Sequence, residues 1–315
     1  MSWGKLAMNK VSSTVNYVEV TQDRDGQRLD NFLTARLKGL PRSVIYRIIR
    51  TGQVRINGGR AKPATRLETG DMVRIPPASI RDNKSGDIPP AVMKLLGQSI
   101  CYEGHGVMVV NKPAGMVVHA GSGLSWGVID VVRKMRPGAN VDLVHRLDRD
   151  TSGCLLLALD GEVLRELNTQ VKNHQIDKRY LCLMDGHLNQ ELLEVNEPIG
   201  QYERAGQKFM RVDSEGKSAR TTFRRLQDYG ACSFVEAELH TGRTHQIRVH
   251  AAHLDLPLVV DKRYSPAARQ KYWKAQAVKR MFLHAHQIRF LKRDGEEQLV
   301  SAPLPEELGQ LLERL

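Results

Sequence analysis

A polar stretch bracketed by two proline pairs divides this chain. Pro76-Pro77 opens it, Pro89-Pro90 closes it, and Ala78 to Ile88 between them shows no apolar period. Such a stretch continues neither helix nor sheet and reads as a linker. The chain therefore folds as two bodies, which its 315 residues accommodate at ordinary domain size. The expected division is an N-terminal arm over 1–17, a small domain over 18–77, a linker over 78–98 and a larger domain over 99–315.

Charge is distributed unequally across that boundary. The chain carries a net +12, and residues 1–90 hold 16 Lys and Arg against 8 Asp and Glu, while the rest holds 31 against 27. A concentrated basic excess points to a polyanionic partner rather than to general solubility. No apolar run approaches the length of a spanning helix, and Met1 to Tyr17 lacks the apolar core of a signal peptide, so no membrane and a cytoplasmic setting are expected. Cys101, Cys154, Cys182 and Cys232 are too scattered for a zinc ribbon or a disulfide framework.

In the first body, Leu29, Phe32, Leu33 and Leu37 recur at helical spacing and predict a helix over Gln27–Leu37. A second helix is expected over Pro41–Thr51, with Pro41 in its first turn and Gly52 at its stop. Val44, Ile45 and Ile48 point inward, leaving Arg42, Arg47 and Arg50 on an exposed face suited to phosphate. Val54-Arg55-Ile56 runs into the hairpin signal Asn57-Gly58, and Met72–Ile75 gives another strand. These segments, with Gly26-Gln27-Arg28-Leu29-Asp30, Gly52-Gln53-Val54 and Leu67-Glu68-Thr69-Gly70-Asp71, resemble the S4 domain, which implies RNA binding.

The second body reads as mixed and strand-rich. Strands are expected at Val107–Val110, Cys154–Leu159, Tyr180–Met184 and Phe234–Leu239. Helices are expected at Trp126–Met135, Glu162–Lys172 and Thr244–Leu254, with Thr244 as cap, and a final helix after Pro305 buries Leu308, Leu311, Leu312 and Leu315. Two polar segments stand out. His145-Arg146-Leu147-Asp148-Arg149-Asp150-Thr151-Ser152-Gly153 crowds charges ahead of an apolar strand, and on its own it fits a salt-bridged surface turn better than a catalytic loop. Thr241 to His250 contains Gly242, Arg243 and Arg248, with small Ala251 and Ala252 leaving room for a guanidinium to turn inward. His245, His250 and His253 lack the i, i+4 spacing of a zinc helix. His284 and His286 show no acidic or Cys partner in sequence and read as structural. No P-loop or dinucleotide fingerprint is present, so no cofactor is expected.

Taken in order, His145 to Gly153, Asn111-Lys112-Pro113-Ala114-Gly115 with Val118-His119, Lys178-Arg179-Tyr180, Thr241 to His250, Phe282-Leu283-His284-Ala285 and Ala302-Pro303-Leu304 resemble the RluA family of pseudouridine synthases over about 99–309. The resemblance implies an α+β fold, the S4-like domain joined to a mixed, mainly antiparallel sheet. It makes Asp148, not Asp150, the essential carboxylate, with Tyr180 and Arg248 beside it. An adjacent Arg holds an Asp ionised. It places Arg146 in the stack vacated by a flipped base and makes Lys112, His119 and Arg243 RNA contacts; apart from the resemblance, a salt bridge from Arg146 to Asp150 or another carboxylate fits equally. Asp255 to Ser265 departs from the family's usual Gly-His-Pro-Ile and Gly-Asp wording. The combination with an S4 domain implies 23S ribosomal RNA, or a ribosome-assembly intermediate, as substrate. Nothing in the sequence suggests an obligate interface, so a monomer is expected. The RluC branch is the nearest in wording, and the RluD branch acts on a different hairpin of that RNA. A non-catalytic RNA-binding or ribosome-assembly protein accounts for the basic domain equally well, and a hydrolytic glycosidase using Asp148 and Asp150 is a further alternative.

Overall fold

In the computed structural model, residues 15–37, 40, 42–77, 88–120, 125–204 and 206–315 are described. The chain forms two compact units, Met1–Gly86 and Asp87–Leu315.

The first unit is a four-stranded antiparallel sheet with two helices. Strands β1 (Asn16–Glu19), β2 (Arg55–Ile56), β3 (Gly59–Arg60) and β4 (Met72–Ile75) lie in the order β1-β4-β2-β3. Helices α1 (Leu29–Arg36) and α2 (Arg42–Arg50) close the core with Leu29, Phe32, Leu33, Ile45 and Ile49, all buried. Asn57 (φ 49°) and Gly58 (φ 79°) both take the left-handed conformation that a two-residue hairpin turn needs. Asn57 fixes that turn further, its Oδ1 accepting from the Met72 amide at 2.8 Å. Asp30 is a buried carboxylate that accepts from Arg28 Nη2 and the Tyr46 hydroxyl, each at 2.8 Å, and the Arg28 bond holds its pKa far below the usual range.

The second unit is built on one large sheet. Its strands are β5 (Ile100–Gly104), β6 (Val107–Lys112), β7 (Asp142–Leu143), β8 (Ser152–Ala158), β9 (Asp177–Met184), β10 (Leu192–Val195), β13 (Thr221–Asp228), β14 (Ser233–Leu239), β15 (Leu283–Leu291) and β16 (Glu297–Ser301). The path runs β10-β13-β14-β9-β15-β8-β6-β5, with β16 on β15 and β7 on β8. Among the described residues, β15 with β8 is the one parallel pairing, so the sheet is mixed and mainly antiparallel. Strands β11 (Ile199–Arg204) and β12 (Gln207–Val212) form a separate hairpin.

β8 is buried along its whole length, and its alternation explains why. Leu155 and Leu157 feed one core, with Met108 and Val110 of β6, Val128 and Val131 of α4 (Val128–Met135), and Ile247 and Ala251 of α6 (Gln246–His253). Cys154, Leu156 and Ala158 feed the opposite core, with Val163 and Leu167 of α5 (Gly161–Lys172). A strand covered on both faces loses the polar half of its alternation, which is why it reads as a continuous apolar run. At its start, Gly153 lies at φ +111°, and a Cβ there would stand 2.2 Å from the Ala285 carbonyl oxygen. Only glycine lets the chain enter β8 beside β15.

The span 78–98 is not linker throughout. Pro90–Gln98 forms α3, which packs on α4 and buries Leu96 completely. Pro90 occupies the first helical turn, a position proline favours, so the second proline pair starts a helix instead of ending a linker. Helix α7 (Ala267–Ala275) and α8 (Glu306–Glu313) share a further core through Trp273, Leu308 and Leu311. Leu315, expected on the buried stripe, is 42% exposed. Among the described residues no helix is long and apolar enough to cross a membrane.

Candidate active site

The loop from β7 to β8 carries Asp148, and hydrogen bonds hold it from behind. His145 Nε2 accepts from the Leu156 amide at 3.1 Å. Burial, with Lys178 nearby, lowers its pKa to about 3, so this histidine is a neutral acceptor and adds no charge to the loop. Lys112 Nζ donates to the carbonyl oxygens of Pro113 (2.9 Å), Met116 (2.8 Å) and Arg149 (3.1 Å). Lys112 is 0% exposed, so its expected role as an RNA contact is corrected: it ties the first motif to the Asp148 loop and cannot reach solvent. Burial pushes its pKa down to about 7, the Arg280 charge adding to the effect. Leu147 is buried in the core below, which turns the neighbouring Asp148 toward the cleft.

Arg248 rises from α6 to meet it. The helix begins later than expected: His245, not Thr244, occupies the N-cap position, in the left-handed conformation at φ 58° and with no side-chain cap bond. Gln246, buried, secures the preceding turn by accepting from Thr241 Oγ1 at 2.7 Å and the Arg243 amide at 3.0 Å. Arg248 Nη1 donates to Asp148 Oδ2 at 2.9 Å. Its Nε and Nη2 donate to the two oxygens of Asp261, each at 2.7 Å. Desolvation works against the charged guanidinium, but the bonds to Asp261 and Asp148 prevail and raise its pKa. A bidentate carboxylate pair of this kind is both strong and directional.

Asp261 is the functional candidate that sequence reasoning missed. It is 0% exposed and its Oδ1 also accepts from the amides of Arg263 (2.9 Å) and Tyr264 (3.3 Å). Val260, just before it, holds the left-handed conformation at φ 58°, an uncommon and costly one for a β-branched residue. The available signal was a carboxylate directly after the apolar run Leu258-Val259-Val260, inside the segment that departs from the family wording.

Asp148, Arg248 and Tyr180 line one cleft of about 1220 Å³, together with Arg146, His119, Arg243, Lys178, Lys262 and Arg263. Tyr180 of β9 is 5% exposed, and burial, with Asp148 next to it, raises its phenol pKa so that it stays protonated. Arg146 is exposed and forms no ion pair with Asp150 or any other described residue, so the salt-bridge alternative is not what the structure contains. His119 is exposed at the rim, and partial burial followed by the Arg146 charge lowers its pKa. Arg243 is anchored by Nε to the Ser218 carbonyl at 2.9 Å. In the first unit, Arg47 and Arg50 are exposed on α2, while the side chain of Arg42 lies outside the described residues.

The histidines separate by environment. His250 is buried between Thr221 Oγ1 (2.9 Å) and the Glu197 carbonyl (3.0 Å). His284 bonds Ser152 Oγ at 2.9 Å, whereas His286 has an acidic partner after all, Glu236 at 3.2 Å from the next strand but one. Among the described residues no group of His, Cys, Asp or Glu is placed to hold a metal.

Comparison with known proteins agrees with this geometry. The RNA pseudouridylate synthase family matches residues 106–253, and the S4 domain matches residues 27–73. Ribosomal large subunit pseudouridine synthase C of Haemophilus ducreyi is 41% identical, covering 97% of this chain and 97% of its own. Its counterpart in Escherichia coli K12 is 41% identical over 98% of this chain and 99% of its own. The solved structure of Human RNA Pseudouridylate Synthase Domain Containing 4 superposes with a TM-score of 0.60 at 25% identity, covering 71% of this chain and 95% of its own. With an S4 domain ahead of a mixed sheet, and an Asp on a loop, an Arg on a helix and a Tyr on a strand lining one basic cleft, the chain belongs to the RNA pseudouridylate synthase family.

Proposed function

We propose that this chain converts uridines of 23S ribosomal RNA to pseudouridine, in the cytoplasm, as a monomer and with no cofactor. The observation that carries the reading is the 2.9 Å contact from Arg248 to Asp148 in a cleft ringed by cations. The full-length likeness to large-subunit synthases supports the RNA class.

The reaction detaches uracil from C1′, turns it, and rejoins it through C5, so every atom is retained. Asp148, bonded through Oδ2 to Arg248, supplies the carboxylate that acts at the ribose. Tyr180 offers a flat face to the freed uracil and a protonated phenol beside C5. The uridine must first leave its stack, at a cost of a few kcal/mol. Arg146, exposed at the cleft, fills the vacated space, while His119 and Arg243 meet the backbone near it and Arg47 and Arg50 on the S4 unit hold phosphates elsewhere.

Pseudouridine mapping of 23S RNA from cells with and without this protein tests the proposal. Loss of one or more modified positions is expected, and an unchanged map overturns the substrate class. A second measurement addresses the phosphate-binding arginines. Arg47→Ala with Arg50→Ala is expected to weaken RNA binding and flatten the slope of log affinity against log salt by about one for each phosphate no longer neutralised. A slope equal to the parent's would remove α2 from the interface.

A further inference from the structure

One oxygen of Asp148 is accounted for and the other is not. Oδ2 accepts from Arg248, whereas Oδ1 accepts no hydrogen bond from any described residue, and His245 Nε2 stands 3.7 Å from it. That distance is too long for a hydrogen bond, and it is of the kind that closes when substrate binds. His245 is 15% exposed, lines the cleft, and carries the left-handed backbone strain at the start of α6. Its other nitrogen is fixed. Nδ1 lies 2.7 Å from the Tyr264 hydroxyl, and the two rings meet edge to face.

We propose that His245 is a positioning residue, a neutral imidazole whose Nε2–H orients the unpaired oxygen of Asp148, with Tyr264 setting its tautomer. The proposal rests on Asp148 being the reacting carboxylate. The tautomer follows from the surroundings of Tyr264. Burial raises the phenol pKa to about 12, so the hydroxyl keeps its proton. Donating that proton to Nδ1 of His245, 2.7 Å away, leaves the ring's own hydrogen on Nε2, toward Asp148.

The groups around the imidazole are Asp148 on the loop, Arg248 on α6, and Asp261, Arg263 and Tyr264 on the segment after it. Desolvation, reinforced by the two arginines and opposed by the two carboxylates, lowers its pKa. A protonated His245 would form an ion pair with Asp148 and compete with substrate for it. Kept neutral, it constrains the carboxylate without neutralising it.

The test compares His245→Phe, His245→Gln and Tyr264→Phe under single-turnover conditions, with Asp148→Asn alongside. Phe keeps the ring and loses the N–H; Gln restores an N–H at similar reach. His245→Phe should lower the isomerisation rate about 100-fold, with RNA affinity and melting temperature unchanged. His245→Gln should recover most of that rate. Tyr264→Phe should cost less, and nothing more in the His245→Phe background. Equal reductions in the Phe and Gln variants, or an effect confined to RNA affinity, overturn the positioning role. An active Asp148→Asn variant would instead overturn the carboxylate reading on which it depends.

Discussion

Asp148→Asn is expected to abolish pseudouridine formation while the protein stays folded and keeps its hold on RNA. Asn preserves shape and removes only charge. The fold tolerates the change because Asp148 is 28% exposed and contributes a single bond to Arg248, which remains paired twice to Asp261. Chemistry does not tolerate it: an amide neither attacks C1′ nor takes a proton from the ribose. A fall of roughly 10⁴-fold or more in single-turnover rate is expected, since no second carboxylate is held in its place. Asp150 lies on the same loop and lines the cleft, but it forms no bond to Arg248. Quantifying pseudouridine in a transcript of the mapped site, beside filter binding of the same RNA, separates the two effects. Turnover near the parent rate would exclude Asp148. Abolished binding with the turnover of the bound fraction intact would make it an RNA-binding residue only.

The site was legible in sequence only where the order of local motifs carried it. Asp148 and Arg248 stand 100 positions apart, and no periodicity brings them together; the likeness of two segments to one family did. Elements with strong local patterns emerged directly. The Met72–Ile75 strand came with its bounds, the Asn57-Gly58 turn with its backbone conformation, and β8 as an apolar run. Edge and amphipathic pieces did not. β10, β13 and β16 alternate weakly against solvent, and α3 hides Val92, Met93 and Leu96 behind a proline pair that resembles loop punctuation. Lys112 reads as an RNA contact because it sits in a family motif and lysine is almost never fully buried. Its burial depends on three carbonyls converging from two segments, an arrangement that only tertiary structure creates. Asp261 was overlooked, and His245 weighed only as a metal ligand and set aside, for the same reason. A buried carboxylate and a surface one look alike until their partners are placed, and the left-handed backbone at His245 and Val260 is imposed by packing and not by residue type.

Asp261→Ala is expected to be the most destabilising charge removal in the cleft. Asp261 is wholly buried, and its oxygens accept from Arg248 Nε and Nη2 and from two backbone amides. Truncation leaves a buried guanidinium with Asp148 as its one remaining anion and orphans the amides. Breaking a buried pair in this way costs about 3–5 kcal/mol, equivalent to roughly 6–20 °C in melting temperature for a domain of this size. Activity should fall further than stability alone explains. Freed from Asp261, the guanidinium can pair through both edges with Asp148 and draw that carboxylate out of the cleft. Asp261→Asn retains one acceptor and should lie between the two. Turnover measured well below the melting transition distinguishes the effects, because a purely structural defect leaves the rate of the folded fraction intact. A parental melting curve for Asp261→Ala would show that the Arg248–Asp261 pair does not hold the site together. A parental rate with a lowered melting temperature would confine Asp261 to the fold and leave Arg248 to orient Asp148 unaided.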